Sequence, residues 1–256
     1  MIKAVIFDMD GVLINTEKYL VKYWCQAAEE LGMPMKREHA LMIRSFSGKF
    51  AEPWLKGIYG ETFDYVAVRE RRKEIMAEHL AKNGVEIKPG VKETLNYLRE
   101  KGYKLAVATA TNRERAEAYL DEIGITEMFD RIVCANMVEN GKPMPDIYLY
   151  ACDQIGVKAE ACVAVEDSPN GVKSAYGAGC RVVMIPDLTL PDEETKRLSL
   201  ETSRKNERFL QKIKMYRIRL TVSSHIRLSG YRFSQQLSFL YSTYLRQHLV
   251  HGSRIG

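Results

Sequence analysis

Ile2-Lys3-Ala4-Val5-Ile6-Phe7-Asp8-Met9-Asp10-Gly11-Val12-Leu13 decides how the rest of the chain is read. Its first half is apolar and rich in β-branched residues, the composition of a strand buried on both faces. The run stops at two acids one residue apart, followed by a glycine. In an extended chain side chains at i and i+2 leave the same face, so Asp8 and Asp10 are expected to point at one spot beyond the strand. Gly11 would permit a sharp turn and a close approach that a Cβ would block. Two carboxylates about 4 Å apart repel by roughly 4 kcal/mol at an effective dielectric near 20. Such a pair needs a shared proton or a cation, unless the acids merely form a solvated turn. The remaining sequence has to choose between these readings.

The 256 residues, 46% hydrophobic and 28% charged, suffice for one large α/β domain or for one domain carrying an insertion. No apolar run approaches the roughly 20 residues of a membrane helix. The N-terminal strand lacks the layout of a signal peptide. Cys25, Cys134, Cys152, Cys162 and Cys180 form no Cys-x-x-Cys pair, which suggests no zinc site and fits reduced thiols used as small core residues. A cytoplasmic protein without a membrane partner is expected. The net charge of +5 is unevenly spread, because residues 199–256 hold eleven Lys/Arg against only Glu201 and Glu207. Residues 1–198 therefore stand at −4, and the tail contains no Ala, Asp, Pro or Cys. A break of this kind marks a boundary.

After the opening strand, Glu17–Leu31 places Leu20, Tyr23, Trp24, Ala27, Ala28 and Leu31 at helical spacing. Gly32 and Pro34 end that helix. Further helical patterns cover about Arg37–Phe46 and Asp64–Asn83, with no strand pattern between them, until Pro89-Gly90 interrupts. From there strands and helices alternate. Strands are expected at Lys104–Thr109, Arg131–Ala135, Ala161–Val165 and Arg181–Ile185, and helices at Val91–Lys101, Arg113–Ile123, Pro145–Ile155 and Pro169–Ala178. This rhythm predicts an α/β fold, a Rossmann-like parallel sheet with helices on both faces. The first strand must join that sheet, which makes residues 16–88 an inserted all-helical cap. Residues 1–15 and 89–198 form the expected core, and 199–256 a basic tail outside it.

Ligands bind beyond the carboxyl ends of such strands. Asp8 and Asp10 sit there, as do Thr109 and Ala110, Glu166-Asp167-Ser168, and Gly141-Lys142-Pro143 before a helix. Together they offer acids for a hard cation, a hydroxyl and an ammonium group. Mg²⁺ prefers oxygen ligands, and Asp8, Asp10, Glu166 and Asp167 are candidates to hold it. Thr109, Ala110 and Lys142 are candidates for phosphate oxygens. One aspartate can attack phosphorus, and the other can move protons. These residues point to phosphoryl transfer.

The segments Asp8-Met-Asp10-Gly-Val-Leu, Thr109, Lys142 and Glu166-Asp167-Ser-Pro-Asn-Gly171 resemble, in order, the four motifs of the haloacid dehalogenase-like hydrolase superfamily. The resemblance covers about residues 1–195 and is nearest the branch of β-phosphoglucomutase and small-molecule phosphatases, whose helical cap follows the first motif. It implies Asp8 as nucleophile and Asp10 as general acid/base. It also implies Mg²⁺ on the Asp8 side chain, the Asp10 carbonyl and Asp167, with Glu166 either a ligand or a supporting partner. An acid at position 10 favours phosphate chemistry over dehalogenation, since a leaving alkoxide needs a proton. Arg44 and Ser47 lie where related caps face the substrate, whereas Tyr23 and Trp24 are expected in the cap core and Asn112 and Arg113 at a helix start.

Two positions depart from the family pattern. Asn15-Thr16-Glu17 carries Asn where an Asp is usual, outside the attacking pair. Leu20 stands where related mutases have a histidine, which disfavours mutase action. The leading expectation is a Mg²⁺-dependent phosphatase for a small phosphorylated metabolite, such as a sugar phosphate, acting through an aspartyl phosphate and monomeric by family default. The alternatives are a β-phosphoglucomutase-like phosphotransferase, or a non-catalytic phosphate sensor or nucleic-acid binder using the basic tail. Intact Asp8 and Asp10 argue against the last, so nucleic acid is not the expected partner. The tail reads either as a basic arm or, preferably, as an extension unrelated to the fold.

Overall fold

The computed structural model describes residues 1–44 and 46–202. The tail from residue 203 to 256, expected as a basic arm or as an unrelated extension, lies outside the described residues. In chain order the elements are β1 (Ala4–Phe7), α1 (Glu17–Glu30), α2 (Arg37–Met42), α3 (Gly48–Tyr59), α4 (Tyr65–Asn83), α5 (Val91–Glu100), β2 (Lys104–Thr109), α6 (Arg113–Glu122), β3 (Arg131–Cys134), α7 (Asp146–Gln154), β4 (Cys162–Glu166), α8 (Pro169–Gly177), β5 (Arg181–Met184), α9 (Glu193–Leu198) and β6 (Glu201–Thr202).

The strands form one parallel sheet in the order β3-β2-β1-β4-β5-β6. The chain builds outward from β1 through β2 to β3, then returns to β1's other side for β4. The topological switch point, where open α/β sheets place their ligands, therefore lies between β1 and β4. Alternation along the strands separates two cores. Val5 and Phe7 pack with Leu95, Leu98, Leu105, Val107 and Leu120 on one face. Ala4 and Ile6 pack with Ala106, Ala108, Ile147, Tyr148 and Val172 on the other. The α/β architecture expected from the sequence is present, with helices on both faces. β6 pairs with β5 through Val183–Glu201 and Met184–Thr202, so two residues past the composition break join the sheet.

Helices α1 to α4 enclose a third core of Val21, Ala27, Ala28, Leu55, Val68 and Met76. The two chain crossings that join this helical unit to the sheet are paired with each other. Asn15 N donates to Glu86 O at 2.8 Å, Lys88 N donates to Leu13 O at 2.9 Å, and Ile14 bridges Ile87. Within the unit two expectations need correction. Arg37–Phe46 shortens to Arg37–Met42, and a helix at Gly48–Tyr59 went unrecognised because Gly48, Pro53 and Gly57 interrupt its pattern. It forms nonetheless, burying Ala51 and Leu55 in the cap core. Leu31, expected inside, caps the end of α1 and is exposed, while Val21 takes the buried place. All five cysteines are free, four of them buried. No helix among the described residues is long and apolar enough to cross a membrane.

Candidate active site

Register brings the charged residues together. Phe7 pairs with Val107 on one side and Val165 on the other. The next step along β1 and β4 therefore carries Asp8 and Glu166 to the same level, on the face where Tyr148 of α7 packs. Lys142 Nζ bridges them, donating to Asp8 Oδ1 at 2.5 Å and to Glu166 Oε1 at 2.6 Å. The Tyr148 hydroxyl donates to the same Glu166 oxygen at 2.6 Å. All four side chains are buried. Burial opposes the charged form of Lys142, but the carboxylates of Asp8 and Glu166 outweigh it and hold the ammonium above its ordinary pKa. Asp8 is pushed well up, by burial first and by the neighbouring acids, with Lys142 pulling the other way.

Asp8, Glu166 and Asp167 each offer a carboxylate oxygen within 4.8 Å of the others. Asp8 Oδ2 and both Asp167 oxygens accept no hydrogen bond, although they are buried. Burial, only partly offset by Arg44, lifts the Asp167 pKa to about 7. A cluster of hard oxygen donors with unfilled lone pairs fits Mg²⁺. Backbone geometry makes room for it. Gly11 has φ +87°, and a Cβ there would lie 2.6 Å from Asp167 Cγ. A Cβ on Gly171 would overlap the Glu166 carboxyl.

Asp10 behaves differently from the expected partner of Asp8. The strand ends at Phe7 and the chain turns at Met9, whose carbonyl accepts from Leu13 N at 2.9 Å. The i, i+2 rule of extended chain therefore stops applying, and the Asp10 carboxylate is not in the three-acid cluster. Instead Thr16 Oγ1 donates to its Oδ1, and Thr111 Oγ1 to its Oδ2 at 2.9 Å. Thr16 sits at the N-cap of α1 but makes no side-chain cap bond, its hydroxyl being committed to Asp10. Thr109 ends β2, fully buried, and accepts from Thr111 N at 3.0 Å. Ala110 lines the cavity beside it.

The cap closes over these groups. A cavity of about 340 Å³ is lined from the core by Asp8, Asp10, Ala110 and Thr111, and from the cap by Leu20, Trp24, Ser47 and Arg72. Ser47 N donates to Lys142 O at 3.2 Å, and Asn170 Nδ2 donates to the carbonyls of Met42 and Arg44 at 3.1 and 3.0 Å. Arg44 lines the cavity, yet its guanidinium is turned to the acids. Nη1 lies 3.1 Å from Asp167 Oδ2, not aligned for a hydrogen bond, and Nη2 donates to the Asp167 carbonyl at 3.2 Å. Buried Glu17 lies 3.7 Å from Arg44 Nε, and burial raises its pKa well above normal. Asn112 and Arg113 do start α6. Tyr23 is buried in the cap core, and Trp24, half-buried, packs against that core while also lining the cavity.

The sequence reading missed Tyr148, Glu17, Thr111 and Arg72. Tyr148 and Arg72 are anonymous positions in helices. Thr111 lies two residues after Thr109, and Glu17 closes the Asn15-Thr16-Glu17 segment, which were the available signals.

The profile of the haloacid dehalogenase-like hydrolases matches residues 5–185. The chain is 35% identical over 182 residues to the phosphorylated carbohydrates phosphatase of Thermotoga maritima, covering 69% of this chain and 82% of that one. It is 32% identical over 200 residues to the probable pseudouridine-5'-phosphatase of Drosophila melanogaster, covering 74% and 84%. Among solved structures, CbbY from Rhodobacter sphaeroides in complex with phosphate superposes with a TM-score of 0.67 at 30% identity, over 79% of this chain and 94% of that one. A β-phosphoglucomutase from Clostridium difficile shares the fold at 22% identity and a TM-score of 0.71, over 86% of this chain and 100% of that one. The resemblance drawn from four short segments thus extends over the sheet and its cap, and the chain belongs to the haloacid dehalogenase-like hydrolases.

Proposed function

We propose that the protein is a Mg²⁺-dependent phosphatase that hydrolyses a small phosphorylated metabolite, such as a sugar phosphate, through a phosphoryl group held on Asp8. The observation that carries this reading is the asymmetry of the Asp8 carboxylate. Lys142 clamps Oδ1, while Oδ2 has no hydrogen-bond partner and the residue lines the cavity. An oriented carboxylate with one uncommitted oxygen is suited to attack.

In the first step an Asp8 oxygen bonds to phosphorus as the bond to the leaving alcohol breaks. The Asp10 carboxyl, oriented by Thr16 and Thr111, donates a proton to the departing alkoxide. In the second step Asp10 takes a proton from water as the water oxygen bonds to phosphorus, which frees Asp8 and inorganic phosphate. Lys142 and the β2 end at Thr109 and Ala110 hold phosphoryl oxygens. Glu166, bonded to both Lys142 and Tyr148, fixes where that ammonium points. Mg²⁺ would be held by the Asp8 and Asp167 side chains and the Asp10 carbonyl, with Glu166 adjacent, and supplies charge that offsets the crowded anions. The cap limits bulk water, turning on the paired crossings at residues 14–16 and 86–88. The relatives named as phosphatases of phosphorylated carbohydrates and of pseudouridine 5'-phosphate support a small metabolite as substrate.

The test is hydrolysis of p-nitrophenyl phosphate with and without Mg²⁺, with Asp8→Asn as control. Activity should need the metal and fall at least a thousandfold in the variant. Undiminished activity in Asp8→Asn would sink the mechanism. Conversion of a sugar 1-phosphate to its isomer, with no phosphate released, would favour the phosphotransferase instead.

A further inference from the structure

Three arginines line the cavity, and among the described residues no acid lies within ion-pair distance of Arg72. Arg72 of α4 is 9% exposed, and its Nε has no hydrogen-bond partner. Among the described residues it forms no ion pair. Its guanidinium carbon lies 5.0 Å from the centre of the Trp24 ring, a cation–π contact that fixes its plane without cancelling its charge. Arg69, also on α4, and Arg115 of α6 line the same cavity. Arg115 Nε is held by Asn112 Oδ1 at 2.7 Å, and Arg69 reaches only the exposed Glu70 at 3.9 Å. Burial, with Arg115 and Arg69 adding to it, depresses the Arg72 pKa to about 10, and Tyr65 and Asp10 offset this only in part.

The acids that line the cavity are Asp8, Asp10, Glu17 and Glu139. The first is bound by Lys142, the second by two hydroxyls, and the third lies against Arg44. None of them pairs with the three arginines among the described residues. A buried cation without a counter-charge in contact is destabilising, and the Asp10 carboxylate acts on Arg72 only from beyond ion-pair distance. A methionine or leucine would pack on Trp24 without that cost, so packing alone does not account for Arg72. Planar guanidinium groups are suited to carboxylate and phosphate oxygens.

We propose that Arg69, Arg72 and Arg115 form a second anion subsite, so that preferred substrates carry, besides the phosphate to be cleaved, a further carboxylate or phosphate at their far end. This rests on the phosphatase reading above and narrows its substrate class. Arg72 selects rather than reacts. Its contribution is to binding the end of the molecule that does not change.

The experiment compares three substrates of equal carbon length on the full chain with Mg²⁺: a sugar monophosphate, the bisphosphate, and the phosphorylated sugar acid. At least one doubly anionic substrate should exceed the monophosphate in kcat/KM by thirtyfold or more, and the better one identifies the second group. Arg72→Gln should shrink that ratio at least tenfold, mainly through KM, and Arg72→Lys should restore part of it. Arg115→Gln, at a half-exposed site where folding is not at stake, should move the ratio in the same direction. Equal kcat/KM for all three substrates, or a ratio unchanged in both Gln variants, would overturn the subsite. Calorimetric titration of the Asp8→Asn chain with the bisphosphate and the monophosphate reads the subsite without turnover. Retained preference there, alongside hydrolysis that ignores Asp8, would overturn the phosphatase mechanism and leave the subsite standing.

Discussion

Replacing Lys142 with methionine tests the electrostatics of the site, because Met keeps most of the side chain's length and removes the charge together with its two hydrogen bonds. Lys142 is buried and lies 2.5 and 2.6 Å from two buried carboxylates. Removing one partner from such a cluster leaves uncompensated buried charge, at a cost of about 3–5 kcal/mol. For a domain of this size each kcal/mol moves Tm by about 2–4 °C, so the drop should be roughly 6–20 °C at pH 8. Its pH dependence is the sharper test. Burial is the main cause of the raised Asp8 pKa, and Lys142 is the influence that lowers it. Without Lys142 the folded-state pKa rises further. A carboxyl whose pKa is raised on folding penalises the fold fully above the folded-state value and not at all below the unfolded-state value, near 4. Lys142 itself stays charged throughout this range, since its pKa is also raised. The difference between wild type and Lys142→Met should therefore shrink as pH falls from 8 to 5, and adding Glu166→Gln should recover part of the loss. Thermal melts of the full chain in EDTA, followed by circular dichroism, measure both. A difference below about 1 kcal/mol, or one independent of pH, would show that the bridge does not carry the proposed charge balance.

Three further outcomes follow from the same geometry. With Asp167 at a pKa near 7, the folded metal-free chain is penalised increasingly as pH rises towards 7, and protons compete with a metal below it. Mg²⁺ should then raise Tm more at pH 8 than at pH 5.5 in scanning calorimetry, and equal shifts would contradict this. Gly171→Ala should destabilise by about 1–3 kcal/mol in urea unfolding and reduce aryl phosphate turnover, because its Cβ would displace the Glu166 carboxyl that steers Lys142. Asn170→Ala removes both Asn170 hydrogen bonds to the cap, so it should raise KM severalfold while costing only about 1–2 kcal/mol of stability. Steady-state kinetics beside urea titration separate the two effects.

What could be read from the sequence follows from the range over which each interaction acts. The sheet was legible because Ala4–Phe7, Cys162–Glu166 and, after the exposed Lys104, the rest of Lys104–Thr109 are buried on both faces, so that their composition alone marks them. The rim was legible because parallel strands all present the same end, which lets Asp8, Thr109 and Asp167 be grouped without coordinates. Legibility failed where placement depends on a turn or on the cap. Asp10 follows Asp8 by two residues, but the turn at Met9 sends its carboxylate to Thr16 and Thr111, away from the cluster of Asp8, Glu166 and Asp167. Helix α3 was hidden because Pro53 and two glycines oppose it locally, while burial of Ala51 and Leu55 favours it from a distance. Arg72 is the extreme case. In the sequence it is one basic residue of Arg69-Glu-Arg-Arg72-Lys, a run whose ordinary reading is a solvated helix face. Arg71 and Lys73 fit that reading, pairing with Glu30, Glu74 and Glu70 near the surface. Arg72 points inward, because the packing of α1 against α4 brings Trp24 beneath its guanidinium. The position of Arg72, proposed to select substrates, is therefore specified by how two cap helices pack, whereas the positions of Asp8 and Asp167 are specified by strand ends. For this reason the reaction class could be read from short segments, and the proposed second anion subsite required the folded cap.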